Sequence, residues 1–131
     1  MSRTRFAIAA LLLANLLLGL HAADQHSPTF DEPAHLAAGV TNLRTGDFRL
    51  LPQSPPLPHY LAALPVLARG IELPGFDLPE WRESDGYGYG VLLLHGQPDH
   101  WEVLIRSRTA MAVLMPVLGV LVWWWSNKLW G

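Results

Sequence analysis

Asp31, Glu32 and His35 stand close together in the stretch Thr29-Phe30-Asp31-Glu32-Pro33-Ala34-His35. A carboxylate can take a proton from an attacking hydroxyl in glycosyl or acyl transfer, provided it reaches the acceptor. Asp31 equally suits the N-cap of a helix, where backbone N–H groups occupy its oxygens and lower its pKa. Spacing alone favours the cap, because capping is common. Glu32 and His35 form a Glu-x-x-His pair, half of a di-metal bundle site, and no second such pair exists in the chain. Asp31, Glu32 and His35 could still hold one hard divalent ion, the one cofactor this sequence leaves open. The competing reading of His35 is a partly buried histidine in an interface helix.

Other candidates are weaker. His59, His95 and His100 lack ligand spacing, and no His-Glu-x-x-His is present. Gly86-Tyr87-Gly88-Tyr89-Gly90 resembles a glycine-rich phosphate loop only superficially and reads as a flexible loop. Arg44, Arg49, Arg106 and Arg108 are the cations to consider for a lipid phosphate, since guanidinium grips phosphate through a bidentate fork. Solvated surface charge is the simpler reading of Arg44. Arg108 stands out because it sits at the mouth of an apolar segment.

The elements that carry these residues follow from composition. Half of the 131 residues are hydrophobic, and they gather at the two ends. A net charge of −2 with no basic block gives nucleic acid no footprint. The absence of cysteine rules out disulfides and thiolate zinc sites, so any metal would need His and carboxylates.

Residues 6–23 are uncharged and follow Arg3 and Arg5. They read as a signal peptide ending near Ala22 and Ala23, or as a retained membrane helix, which needs about 20 residues. The retained helix is the better fit, because Leu20 or His21 occupies the position where cleavage wants a small residue. Residues 109–127 are again uncharged and end in Trp123-Trp124-Trp125, with Lys128 beyond. Tryptophan collects at headgroup level and lysine on the cytoplasmic side. Pro116 inside this span requires neighbouring helices to satisfy the carbonyl it frees. Residues 1–5 and 128–131 are therefore expected in the cytoplasm, and residues 24–108 outside. Arg106 and Arg108 oppose that orientation: either they bind something anionic, or the orientation is reversed.

Within the loop, Asp31, Pro33 and Gly46 bracket a helix over residues 32 to about 44, with Leu36, Val40 and Leu43 as an apolar stripe. Residues 47–51 read as a short extended piece, after which Pro52, Pro55 and Pro56 break regular structure. The apolar run 57–68 is too short to span and fits a re-entrant or surface-lying helix. Residues 69–85 read as irregular, and Trp81, Tyr87, Tyr89 and Trp101 could sit at the bilayer surface. The expected fold class is thus an α-helical membrane protein, two transmembrane helices joined by a large extracytoplasmic loop with amphipathic or re-entrant helices.

Taken in order, residues 29–68 resemble the first outer loop of GT-C fold membrane glycosyltransferases of the family 39-like, dolichyl-phosphate-mannose protein mannosyltransferase type. The matching parts are Asp31, Glu32 and His35, then Gly39, Thr45-Gly46-Asp47 with Phe48, Pro55-Pro56-Leu57, and the run from Leu61 to Pro65. The segment from Arg108 to Trp130-Gly131 is similar to that family's second membrane helix. Gln53-Ser54 departs from the Glu-His such proteins often carry before the Pro-Pro pair, and family members continue through many more membrane helices.

The resemblance implies inverting transfer of a sugar from a polyprenyl- or dolichyl-phosphate carrier to a protein or lipid acceptor outside the membrane. Asp31 would be the general base with Glu32 beside it, and His35, Arg49 and Arg108 would contact substrate. The expected location is the cytoplasmic (inner) membrane of a bacterium, with lipid and the carrier as partners and the remaining transferase helices on further or separate chain. On this reading the 131 residues are an N-terminal portion that is inactive alone. Two other readings are a two-helix, non-catalytic subunit of a complex, and a secreted domain with a cleaved signal and a tail anchor.

Overall fold

The computed structural model describes residues 3–131, so the first two residues of the expected cytoplasmic segment lie outside it. Seven helices follow one another among the described residues: α1 (Arg3–Gln25), α2 (Glu32–Thr45), α3 (Pro56–Arg69), α4 (Pro79–Arg82), α5 (Gly86–His95), α6 (His100–Ala112) and α7 (Leu114–Trp130), with no strand among them.

Two spans are long and apolar enough to cross a membrane, α1 and the 31-residue run His100–Trp130 that joins α6 to α7. At 1.5 Å per residue, α1 reaches about 34 Å, slightly more than a hydrocarbon core of about 30 Å. Ala23 is its one buried residue, and α7 has none. Such surfaces suit lipid or protein neighbours rather than water. The second span starts at His100, well before the uncharged segment at 109–127, because Glu102 and Arg106 stack one turn apart as an ion pair along the helix. Val113 interrupts it. Pro116, three residues later, cannot donate to the carbonyl of Ala112, which weakens the helix there.

The spans run antiparallel. Gly19 lies against Ala112 and Met115, while a Cβ at Gly119 would strike Leu12. Small residues at these crossings let the backbones approach closely. Arg3, Arg5 and Lys128 therefore fall at the same end of the pair.

Between the spans, α2 to α5 enclose a core around α2, whose Leu36, Ala37, Ala38 and Val40 are buried against Ala63 and Val66 of α3, Leu93 and Leu94 of α5, and Val103 and Leu104 of α6. Two glycines set the spacing. A Cβ on Gly39 would meet the backbone carbonyl of His59, and one on Gly90 would meet the backbone of Pro33. Helix α5 thus presses on the first turn of α2, and α3 on its middle.

Several expectations change here. Residues 86–90 are the first turn of α5, not a flexible loop, because the Asp85 carboxylate accepts the N–H groups of Tyr87 and Gly88 as an N-cap. The expected extended piece 47–51 turns at residues 49–51 instead: the Asp47 carboxylate accepts the Arg49 N–H, curling the chain back. The irregular stretch 69–85 contains the single turn α4. Trp81 and Tyr89 are buried in the core and unavailable to a bilayer surface. The Tyr89 hydroxyl donates to the Pro74 carbonyl at 2.9 Å, and burial pushes the phenol up to about 12.

Candidate functional site

The start of α2 lies where the end of α1, α3 and the α6–α7 span converge. Asp31 holds the N-cap position of α2, yet its side chain caps nothing. The first turn is closed by backbone alone, the His35 N–H donating to the Asp31 carbonyl at 3.1 Å, while Glu32 Oε2 accepts the N–H of Thr29, ahead of the helix, at 2.8 Å. Asp31 is left exposed. Its Oδ1 accepts the Thr29 hydroxyl at 3.0 Å and its Oδ2 lies 3.6 Å from Nε2 of His35. The Thr29 bond, its own backbone N–H and His35 hold its carboxyl below the usual aspartate range.

Glu32 points the other way. Arg108 donates from Nε to Glu32 Oε1 at 2.7 Å and from Nη2 to Oε2 at 2.6 Å. Its Nη1 donates to the carbonyls of Ala23 and His26, and Nη2 also to that of Ser27. A guanidinium has five N–H groups, and all are used. Burial pushes the Glu32 carboxyl up, but Arg108 and the Thr29 N–H outweigh it and hold it below its ordinary value. Because Asp31 and Glu32 diverge, no three His, Asp or Glu side chains among the described residues gather closely enough for a metal ion. The one-ion reading of Asp31, Glu32 and His35 is corrected accordingly.

His35 meets an unforeseen partner. Its Nδ1 lies 2.8 Å from Nε2 of His59 on α3, a hydrogen bond whose direction depends on the tautomers. His59 is 5% exposed, and its own Nδ1 is buried without a hydrogen-bond partner. Burial, then the charge of His35, lowers its pKa. The sequence signal lay in Gly39, one turn after His35: a missing side chain there admits α3 at the level of His59.

Beside this pair opens a cavity of about 820 Å³ whose walls come from α1, α2, α3 and the α6–α7 span. Gly19, Ala22, Leu104, Met111, Met115 and Leu118 give it an apolar body. His26, Thr29, Glu32, His35, Ser54, His59, Ser107 and Arg108 make its polar end. Asp31 is not part of the lining and reaches it through His35.

Arg49 lies elsewhere. It is paired with Asp47, with Nη2 at 2.7 Å from Oδ2, and its guanidinium stacks on Trp81 at 4.8 Å. Arg44 donates to the Ile71 carbonyl, and Arg106 is held by Glu102. Of the expected site residues, the fold brings Asp31, Glu32, His35 and Arg108 together and leaves Arg49 apart. Next to Asp31, Phe30 stacks on Tyr87 with ring centroids 4.8 Å apart, an exposed aromatic pair at the same rim.

No protein-family model, curated protein or solved structure matches this chain.

Proposed function

We propose that this chain is the carrier-facing portion of a membrane glycosyltransferase of the GT-C kind, moving a sugar from a polyprenyl- or dolichyl-phosphate to an acceptor outside a bacterial cytoplasmic membrane. The supporting observation is the cavity between two membrane-length helices, apolar along its body and polar at one end, with the exposed Asp31 carboxylate beside that end. An isoprenoid tail suits the apolar walls, and a phosphosugar suits the polar end. The acceptor would meet Asp31 from the open side, where the carboxylate could take its proton. Glu32 and Arg108 hold the site's shape in this reading. Clustering of Arg3, Arg5 and Lys128 at the far end supports placing the site outside.

The test is Asp31→Asn in native membranes, assayed for transfer of sugar from a polyprenyl-phosphate donor. Loss of about a hundredfold or more is expected of a missing general base. Undiminished transfer removes the assignment.

A second reading, a non-catalytic subunit of a membrane complex, draws on α7, which has no buried residue and so offers its whole length to neighbours. Recovery from native membranes as a stable complex whose transferase activity is indifferent to Asp31→Asn would select it.

A further inference from the structure

The His35–His59 pair joins the open face at Asp31 to the cavity, and its outer nitrogens differ in a telling way. His35 Nε2 faces a carboxylate at 3.6 Å, while His59 Nδ1, on a side chain that lines the cavity, is buried with no partner. An unpaired buried nitrogen costs stability, so its retention calls for an explanation. Among the described residues the cavity lining also holds no free guanidinium or ammonium, because every N–H of Arg108 is already committed. An anionic group entering the polar end must find its proton donors among histidines and hydroxyls.

We propose that Asp31, His35 and His59 form a proton relay that delivers the acceptor's proton to a phosphate oxygen held at His59 Nδ1. The proposal rests on the transferase reading above. Tautomers supply the mechanism. If His35 donates from Nδ1, then a neutral His59 carries its proton on Nδ1 and aims it at the phosphate, while His35 Nε2 is a bare lone pair facing Asp31. If His59 donates from Nε2, its Nδ1 is the bare one and His35 Nε2–H faces the carboxylate.

One turnover converts the first state to the second. The acceptor hydroxyl gives its proton to Asp31 as its oxygen bonds to the sugar's anomeric carbon. The bond from that carbon to the phosphate oxygen breaks, and the electron pair stays on the phosphate. Asp31 passes a proton to His35 Nε2, His35 Nδ1 passes one to His59 Nε2, and His59 Nδ1 passes one to the phosphate. No oxidant is needed, and the relay resets for the next turnover when the protonated phosphate leaves, solvent returns a proton to His59 Nδ1 and His35 Nε2 releases one to solvent at the exposed face by way of Asp31. The lowered pKa of His59 suits this role, since a neutral ring is required at each end of the cycle. The other ionisable groups facing the pair are His26, Glu32 and Arg108, of which Glu32 and Arg108 neutralise each other.

The experiment is NMR of the full chain in detergent, labelled with 15N-histidine and 13C-carboxyl aspartate. Separate samples receive farnesyl phosphate, farnesol or inorganic phosphate. Binding of the two phosphates is read from the 31P line and that of farnesol, the control without phosphate, from its own 1H lines; the direction of the His35–His59 hydrogen bond is read from the 15N shifts, and Asp31 from its carboxyl shift. With farnesyl phosphate supplied at a pH where it is a dianion and so accepts rather than donates, the expected result is a proton on His59 Nδ1, donation from His35 Nδ1 and a coupled shift at Asp31. In His35→Gln, farnesyl phosphate should still bind while Asp31 ceases to respond.

Binding of farnesyl phosphate with unmoved histidines overturns the relay and leaves the carrier reading standing. A carboxyl response that survives in H35Q also overturns it. The same response to inorganic phosphate, with no gain from the farnesyl tail, supports the relay and removes the lipid carrier. If no phosphate binds, both readings fall. The unsubstituted chain decides the first, third and last outcomes, so a poorly folding variant cannot stall the test.

Discussion

Arg108 binds Glu32 through two parallel hydrogen bonds, 2.7 and 2.6 Å long, across 76 residues of sequence. This fork joins the second membrane-length span to the first turn of α2. Both side chains are mostly buried, 12% and 29% exposed, so solvent screens the pair little. Arg108→Ala is expected to cost about 3–5 kcal/mol, because it strands the Glu32 carboxylate and three carbonyls together. Thermal unfolding in detergent measures it. Arg108→Lys should recover only part, since an ammonium cannot reproduce the fork.

The same pair makes stability acid-sensitive. The folded pKa of Glu32 lies below its ordinary 4.5. Its contribution is therefore complete above that value and lost as pH falls through the lower folded one. Midpoints recorded between about pH 7 and pH 3 should drop at the acid end, and Glu32→Gln should flatten that drop while lowering stability near neutrality.

Asp31→Asn should leave the thermal midpoint almost unchanged, as the side chain is exposed and caps no backbone group. A large loss of stability would mean that Asp31 is structural, and would undercut its assignment as a base.

Gly39→Ala should lower stability by about 1–3 kcal/mol through overpacking, since the new methyl meets the His59 carbonyl. It should also lengthen the contact between His35 and His59, read as loss of coupling across their hydrogen bond. Gly46→Ala, at a left-handed C-cap with φ 72°, is strained by backbone conformation and leaves the histidine pair alone.

Tyr89→Phe should cost about 1 kcal/mol for the hydrogen bond to Pro74. Burial separately raises the folded value of Tyr89 from 10.0 to about 12, so the stability linked to its neutral phenol is full below pH 10.0 and is lost as pH rises through about 12. Spectrophotometric titration should lose its late-ionising phenol in Tyr89→Phe.

The two spans and α2 were legible in the sequence because uncharged length, Pro33 and Gly46 are local signals. Other features depend on partners distant in the chain. GYGYG looks like a loop until Asp85 is seen to cap it and Pro33 to need the room at Gly90. Asp31 looks like a cap because it stands at the capping position, and only the fold shows its carboxylate turned to the Thr29 hydroxyl and His35 instead. The fate of Arg108 and the pairing of His35 with His59 were equally hidden, since spacing along the chain does not encode which helices cross.

Arg108 also completes α1. It supplies a donor to the carbonyl of Ala23, 85 residues earlier, and to those of His26 and Ser27 just beyond the helix. The end of the first helix is therefore finished by a residue that leaves the ribosome long after it. Until then the carbonyls must be solvated or shift partners, and closing so long a loop is slow. Assembly of the cavity is thus a late event in biogenesis, and nascent chains arrested before Arg108 should carry a first helix with a frayed C-terminal end.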